Sequence, residues 1–281
     1  MSEDKKIVKV GVIKNGNLGM SLVLDLLMDE RADRGDLDVV VVGSGAKLNK
    51  EQAVWTAQQM VAWSPDLILM VSPNASLKGL AAAREIVQST GIPTIVFSDA
   101  PAKKAKEEYE ERGMGYVINL ADAMISARRP FLDPVEMSVY NANLLKVISI
   151  CGVVNLIQEA LEACIDAIKA GQKPPLPRVV VTKEVAAAAA KFSNPYANAK
   201  AMAAFEIASR VSSLTTPACF VIKEKEKYMP LLAAAHEMMR IAAELAQEAR
   251  EIEKGNDTVL RRPHHREGKI LEKRALMEKE E

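Results

Sequence analysis

Short apolar runs alternate with segments of helical character over the first 119 residues of the chain. The runs are almost continuously apolar and rich in branched side chains, a pattern typical of strands buried on both faces of a sheet. Repeated strand, turn and helix predict an α/β fold with an open, mostly parallel sheet flanked by helices. The predicted strands cover residues 7–13, 37–42, 66–71, 93–97 and 116–119, and the predicted helices residues 21–31, 51–63, 77–89 and 103–112.

Long helical segments replace this alternation after about residue 120. Residues 134–170 predict a helix that breaks near Cys151 and Gly152, and residues 228–254 predict another. Between them, residues 196–212 are rich in alanine, which favours close helix packing in a bundle or at a subunit interface. The sequence therefore predicts an added helical bundle after the sheet.

Two short segments and the C-terminal end complete the prediction. Residues 179–182 and 220–222 are apolar enough to predict short extra strands. Beyond Gly255 the chain is strongly charged, which favours a solvated helix or a frayed tail. We expect two domains, an α/β domain over residues 1–126 and a mainly helical domain with short strands over residues 127–281.

Composition excludes several classes of protein. The 281 residues carry 37 basic and 37 acidic side chains, whereas nucleic-acid binders usually carry a basic excess. Three cysteines and three histidines lack the spacing of a disulfide framework, a zinc site or an iron–sulfur site. No apolar run reaches the roughly 20 residues of a membrane span. We expect an intracellular protein with no metal, nucleic-acid or membrane partner.

Four of the predicted strands end in residues suited to binding a ligand. In open parallel sheets, ligands bind beyond the carboxyl ends of the strands, where loop amides and helix N-termini converge. Glycine, serine, asparagine and lysine at these ends suit an anionic or amide-rich ligand, although the same residues also form ordinary turns. The candidate binding residues are Lys14, Asn15, Gly16, Asn17, Gly43, Ser44, Gly45, Ser72, Pro73, Asn74, Asp99, Ala100 and Pro101.

The first of these turns departs from the nicotinamide-binding fingerprint G-x-G-x-x-G. Lys14 occupies the first glycine position, and only Gly16 and Gly19 fit. The second strand ends in Gly43-Ser44-Gly45 rather than in the acidic residue that would hold the adenine ribose. Both departures argue against NAD. NADP remains an alternative, because Ser44 and Lys47 could contact its 2′-phosphate.

A charged segment lies where the sheet pattern gives way to helices. Arg128 and Arg129 are followed by Asp133 and Glu136, with two prolines among them. Arginine pairs with carboxylate or phosphate, and a carboxylate can accept the paired N–H donors of a pterin-like ring. A salt-bridged hinge between domains would have the same composition. Both interpretations stay open on composition alone.

Several long segments resemble the archaeal methylenetetrahydromethanopterin dehydrogenases that depend on coenzyme F420. Matches run from residue 7 to beyond residue 205, and the longer ones are far more specific than a glycine turn. The matching segments read KVGVIKNGNLG, LDLLMDERADR, VVGSGAK, SPN, SDAP, ARRPFLDPVEM and NPYANAKAMAA.

The resemblance implies a reversible hydride transfer between reduced F420, a deazaflavin, and methenyl-tetrahydromethanopterin, giving the methylene form in archaeal one-carbon metabolism and methanogenesis. It implies a cytoplasmic homo-oligomer, a hexamer in known members, that needs no flavin, iron–sulfur cluster or metal. F420 would then lie at the strand ends, and Arg128, Arg129, Asp133 and Glu136 would contact the pterin. The helical domain would provide substrate and oligomer contacts. No catalytic acid or base is expected, because the acceptor carbon belongs to a cationic amidinium group.

Two other functions remain as alternatives to the deazaflavin enzyme. The first is an NADP-dependent oxidoreductase that uses Ser44 and Lys47. The second is a non-catalytic sensor that binds a small molecule on a flavodoxin-like sheet and shows no turnover.

Overall fold

The computed structural model describes residues 6–30, 32–123 and 133–281. The chain divides into two compact units, each described by itself below. The sheet unit lies within Met1–Asn119, Ile157–Val180 and Arg262–Glu272, and the helical unit lies within Leu120–Leu156, Val181–Arg261 and Lys273–Glu281.

Helices and strands alternate early in the chain, as predicted. Strands β1 to β6 span Val8–Lys14, Leu37–Gly43, Leu67–Ser72, Thr94–Asp99, Gly115–Asn119 and Arg178–Val181. Helices α1 to α4 span Gly19–Asp29, Lys50–Trp63, Lys78–Gln88 and Lys106–Glu111, with a 3-10 helix over Ala100–Ala105 before α4. Helices α5 to α9 span Pro134–Ile150, Val153–Lys169, Lys183–Ala190, Pro195–Phe220 and Lys225–Gly255.

The six strands form one sheet in the order β2-β1-β3-β4-β5-β6, and the pairings from β2 through β5 are parallel. Strands β3, β4 and β5 are buried at every residue, as their continuous apolar runs predict. The edge strand β2 is only partly buried. The predicted α/β fold is therefore confirmed.

Local capping and core packing fix the helices on the sheet. Asn49 caps α2, because its side-chain oxygen accepts a hydrogen bond of 2.9 Å from the backbone N–H of Gln52. Met60 of α2 packs over Gly11, where a side chain would collide with the Met60 sulfur. One face of the sheet thus shares a core with α2 and α3, built from Ile13, Ala53, Ala57, Met60, Ile68, Met70, Leu80, Ala83 and Val87.

The helical unit contains the predicted bundle. Helix α8 packs along α9, and α5 also contacts α9. Both α8 and α9 turn alanines inward, and these small side chains let the helix axes approach closely. The predicted break between α5 and α6 is confirmed at Cys151 and Gly152. The buried alanines are Ala197, Ala201, Ala204, Ala208 and Ala218 of α8 and Ala235, Ala242, Ala243, Ala246 and Ala249 of α9.

Two predictions for the later part of the chain are wrong. Residues 220–222 form no strand, because α8 continues to Phe220 and its last turn closes onto the carbonyl of Pro217. The charged end is neither a helix nor frayed, since Arg261 pairs with Lys273 and His264 with Ile270 in antiparallel bridges. Buried ion pairs to distant residues hold this segment, and composition alone does not reveal them.

No single helix in the described ranges has the length and apolar character of a membrane span. The consecutive helices α5 and α6 pass that test only when they are taken together, as a pair with a bend between them.

Candidate functional site

The strand order changes direction between β1 and β3, and the loops after these strands and β2 lie together. Lys14 aligns with Gly43 of β2 and with Val71 of β3. The backbone N–H of Ser44 donates to the carbonyl of Lys14 at 3.0 Å. Parallel sheets bind ligands at such a point, beyond the carboxyl ends of the strands. We call the loops that follow β1, β2, β3 and β4 the crest.

Gly16 connects three of the crest loops. Its N–H donates to the carbonyl of Gly45 at 2.9 Å. Its φ is +84°, and a Cβ there would lie 2.9 Å from Leu48 and 3.0 Å from Pro73. Glycine is therefore required by both conformation and space. Gly16, which stands at the second glycine position of the fingerprint, thus holds the crest loops together whatever ligand the crest binds.

Asn15 acts within the crest rather than at its surface. Its side chain is buried, and its amide nitrogen donates to the hydroxyls of Ser44 at 3.1 Å and Thr56 at 3.0 Å. Ser44 in turn donates to the carbonyl of Lys47 at 2.7 Å. Sequence reasoning missed Thr56. Its signal is a polar residue on the buried stripe of α2, next to Ala53 and Ala57.

Lys14 carries a charge that is already paired. Its ammonium lies 2.7 Å from the carboxylate of Asp25 on α1, and both side chains are partly exposed. Asp25 was not predicted as a site residue, although its position on α1 places its carboxylate beside the loop that follows β1. A ligand anion at Lys14 would therefore share the ammonium with Asp25. Asn17, in the same loop, is exposed.

The loops after β3 and β4 are held by a buried serine. Ser98 donates from its hydroxyl to the carbonyl of Ser72 at 2.7 Å and accepts the N–H of Ala75 at 3.1 Å. Asn74 accepts a hydrogen bond from Ser76 at 2.5 Å. Asp99 accepts the N–H of Ala100 at 2.5 Å and so starts the 3-10 helix. Ser98, which sequence reasoning missed, determines the shape of this half of the crest.

The crest encloses little space. A cavity beneath it, lined by Asn15, Ser72 and Arg84, measures about 10 Å³. Such a volume holds at most one water molecule. A ligand with a ring system must therefore lie over the crest, against residues with exposed surface such as Asn17, Gly43 and Gly45.

The second predicted cluster falls partly outside the described residues. Arg128 and Arg129 lie there, whereas Asp133 and Glu136 begin α5 in the helical unit. Asp133 caps this helix, with its carboxylate accepting the N–H of Glu136 at 2.8 Å. The exposed Asp133 thus has a local structural role.

Glu136 forms a pair that the sequence did not predict. Its Oε1 lies 2.6 Å from Nδ1 of His236 on α9, and the His236 ring packs against Tyr140 at 4.6 Å between centroids. Burial lowers the pKa of His236 below its ordinary value, although Glu136 and Glu237 act to raise it. The histidine is therefore neutral at neutral pH. Its signal in the sequence is a polar residue within the apolar stripe of α9.

Within the described ranges, no three His, Cys, Asp or Glu side chains converge in a group that could hold a metal ion.

Comparisons with known proteins agree over nearly the whole chain. The family model described as methylene-5,6,7,8-tetrahydromethanopterin dehydrogenase matches residues 8–281. The F420-dependent methylenetetrahydromethanopterin dehydrogenase of Archaeoglobus fulgidus is 56% identical over 275 residues, which cover 98% of this chain and 100% of that protein. The enzyme of the same name from Methanocaldococcus jannaschii is 50% identical over 276 residues, covering 98% and 100%.

A solved structure is similar throughout. Its description is F420 dependent methylene-tetrahydromethanopterin dehydrogenase in complex with methylene-tetrahydromethanopterin and coenzyme F420. It superposes with a TM-score of 0.95 at 45% identity, covering 98% of this chain and 100% of the other. The chain therefore belongs to the methylene-5,6,7,8-tetrahydromethanopterin dehydrogenase family.

Proposed function

We propose that this chain catalyses reversible hydride transfer between reduced coenzyme F420 and methenyl-tetrahydromethanopterin, giving methylene-tetrahydromethanopterin in archaeal one-carbon metabolism and methanogenesis. The observation that carries the proposal is the match of residues 8–281 to the family, joined to a fold with a TM-score of 0.95 to the F420 complex. The chain is thus an oxidoreductase for which F420 serves as co-substrate.

The crest supplies the proposed contacts with F420. Gly16, Asn15 and Ser98 fix the loops, and their neighbours present backbone N–H groups, hydroxyls and the Lys14 ammonium to an anionic ring system and its phosphate-bearing tail. The bound deazaflavin supplies the hydride. The proposed contact residues are Lys14, Asn15, Gly16, Asn17, Gly43, Ser44, Gly45, Ser72, Pro73, Asn74, Asp99, Ala100 and Pro101.

The proposed contacts with the pterin are Arg128, Arg129, Asp133 and Glu136. The carboxylate of Glu136 is partly exposed and can accept the paired N–H donors of a pterin ring. The protein then has to bind and orient the two substrates and to exclude water, because hydride addition to a cationic amidinium carbon needs no proton donor. No side chain is assigned as a catalytic acid or base.

We also propose that the protein works in the cytoplasm as a homo-oligomer, a hexamer by resemblance to its family. The cytoplasmic location follows from the proposed place in one-carbon metabolism. Light scattering on the purified protein measures the subunit number, and a monomer at working concentration contradicts this part of the proposal.

A cofactor comparison tests the proposed reaction against the alternatives. The protein is mixed with methenyl-tetrahydromethanopterin and either reduced F420 or NADPH, and the absorbance of each cofactor is followed. We expect oxidised deazaflavin to form and NADPH to persist, because Lys14 replaces the first glycine of the nicotinamide fingerprint and the similar enzymes are F420-dependent. Loss of NADPH absorbance favours the nicotinamide enzyme, and binding without turnover favours a sensor.

Thr56→Val is expected to raise the KM for F420 about two- to tenfold, the effect of losing one hydrogen bond of 0.5–1.5 kcal/mol. Valine keeps the shape of threonine but cannot accept the hydrogen bond from Asn15 that orders the first crest loop. Steady-state kinetics with each substrate varied in turn measure the change, and the KM for the pterin should stay constant.

Thr94→Val is the matched control for this variant. Thr94 is also buried in the sheet unit but lies at the start of β4, at the opposite end of the strands from the crest. If Thr94→Val raises the KM for F420 as much as Thr56→Val does, the change does not come from the crest.

Asp133→Asn and Glu136→Gln are each expected to raise the KM for the pterin about tenfold or more, because each removes a charge that strengthens hydrogen bonds to N–H donors. Asparagine still caps α5, so Asp133→Asn isolates the charge from helix stability. Binding titrations with the pterin measure the affinity of each variant for it, beside the KM. Unchanged pterin affinity in both variants would remove these residues from the proposed site.

A further inference from the structure

Glu136 occupies a helix position that usually serves the helix itself. It is the third residue of α5, after the N-cap Asp133. A glutamate there commonly turns back to the backbone N–H of the N-cap in a capping box. Here its Oε1 lies 2.6 Å from Nδ1 of His236 instead. The carboxylate is therefore held by another helix, at an orientation that α5 alone does not set.

His236 is well placed to hold that carboxylate. Its side chain is only 9% exposed, whereas the Glu136 side chain is 43% exposed. Tyr140, one turn after Glu136, packs on the His236 ring, and its hydroxyl donates to the carbonyl of Ala123 at 2.5 Å. The imidazole is thus a rigid donor beneath a carboxylate that solvent or a ligand can reach.

Protonation favours a single hydrogen-bonding pattern. Burial holds the pKa of His236 below its ordinary value, so the ring is neutral and carries one N–H. With an ionised carboxylate at Nδ1, that proton lies on Nδ1 and is donated to Oε1. Glu136 keeps its second oxygen and its remaining lone pairs for another donor.

We infer that His236 is a positioning residue for the pterin, holding the Glu136 carboxylate toward the paired N–H donors of the ring. The inference rests on the proposed function. It assigns a role in substrate binding to a buried histidine that acts through Glu136.

Three substitutions of His236 test the inference in the full-length protein. His236→Leu removes the donor and is expected to raise the KM for the pterin about tenfold or more, the effect of losing a hydrogen bond to a charged group. His236→Asn places an amide nitrogen where Nδ1 was and is expected to restore most of the wild-type KM. His236→Gln carries its amide one carbon further out and should resemble His236→Leu. The KM for F420 should stay constant in all three.

A double-mutant cycle provides a second measurement. If His236 acts through Glu136, Glu136→Gln should raise the pterin KM much less in the His236→Leu background than in the wild type. Glu244→Gln is the control, since Glu244 is an exposed residue of α9 that pairs with Arg240. That control should leave both KM values unchanged.

The outcomes separate this inference from the proposed function. Absence of turnover in the wild type with reduced F420 and methenyl-tetrahydromethanopterin contradicts the proposed function itself. An active wild type with equal pterin KM values in His236→Asn and His236→Leu, or additive effects in the cycle, overturns the inference alone. If His236→Leu does not fold, the comparison of His236→Asn with His236→Gln decides in the same way.

Discussion

Gly152→Ala is expected to lower the free energy of unfolding by about 2–5 kcal/mol, the sum of a backbone cost and a packing cost. Gly152 has a φ of +108°, a region that side chains with a Cβ rarely adopt. A Cβ there would also collide with the carbonyl oxygen of Ala186 and lie 2.6 Å from the backbone nitrogen of Ala190. These obstacles are backbone atoms of α7, which cannot rotate away as a side chain would.

Gly171→Ala is the control that separates the two costs. Gly171 has a φ of +67°, but nothing lies within 4 Å of the position of its Cβ. Only the backbone cost of about 1–2 kcal/mol should therefore appear in this variant. Thermal and denaturant unfolding, followed by circular dichroism, measure both variants. Equal losses of stability would mean that the contact with α7 does not matter.

Glu162→Gln is expected to destabilise the protein by about 3–5 kcal/mol, because it breaks a buried ion pair and leaves Arg34 with only Asp36, a carboxylate that Lys169 shares. The guanidinium of Arg34 lies 2.7 and 2.8 Å from the two carboxylate oxygens of Glu162, and its Nε donates to Asp36 at 2.8 Å. These side chains are at most 7% exposed. The exposed pair Glu224–Lys227 provides the control, and Glu224→Gln should leave the unfolding midpoint unchanged.

The same ion cluster makes stability depend on pH through His264. This histidine lies between the carboxylates of Glu30 and Glu162, with Arg34, Asp36 and Lys169 beyond them. Burial lowers its pKa, but the two carboxylates raise it more, so the net pKa is above the ordinary value of 6.5. The stability that charged His264 contributes is full below pH 6.5 and is lost as the pH rises through the raised pKa.

The acidic members of the cluster have the opposite dependence. Burial raises the pKa of Glu162, but hydrogen bonds from His264 and Arg34 lower it more. Burial likewise raises the pKa of Asp36, and hydrogen bonds from Arg34 and Lys169 lower it more. Their contribution is present above their ordinary values of 4.5 and 3.8, and it is lost as the pH falls through the lowered values. The free energy of unfolding, measured at a series of pH values, should therefore pass through a maximum and decrease on both sides of it. If Glu162→Gln loses as much stability at alkaline pH as the wild type does, the assignment of this loss to His264 is wrong.

Prediction from the sequence worked where the decisive interactions are local. The strand runs follow from burial on both faces, and the N-cap Asn49 acts only on the N–H groups of the first turn of its own helix. The crest followed from the predicted parallel topology, since the carboxyl ends of parallel strands meet at one edge of the sheet. The positions of Gly16 and Ser44 were therefore predictable, although the bonds between them were not.

Residues that act across long sequence separations were missed. Thr56 bonds to Asn15, which is 41 positions away, and His236 bonds to Glu136, which is 100 positions away. A polar residue within an apolar helical stripe marks each of them, but such a residue has no partner until the helices pack. The contact residues of both ligands stay predictions, which the KM measurements above test.

The sequence by itself determined the α/β class, the order of the strands and helices over the first 119 residues, the crest and, through long matching segments, the family. Only the tertiary structure decided that the charged C-terminal end is packed, because its His264 pairs with Glu30, which lies 234 positions earlier. It also decided that Glu136 belongs with His236 and that Asn15 lies inside the crest. The physical reason is that periodicity records which face of an element is buried. The partner of a buried charge or amide is set by the packing of distant elements, and no local pattern records it.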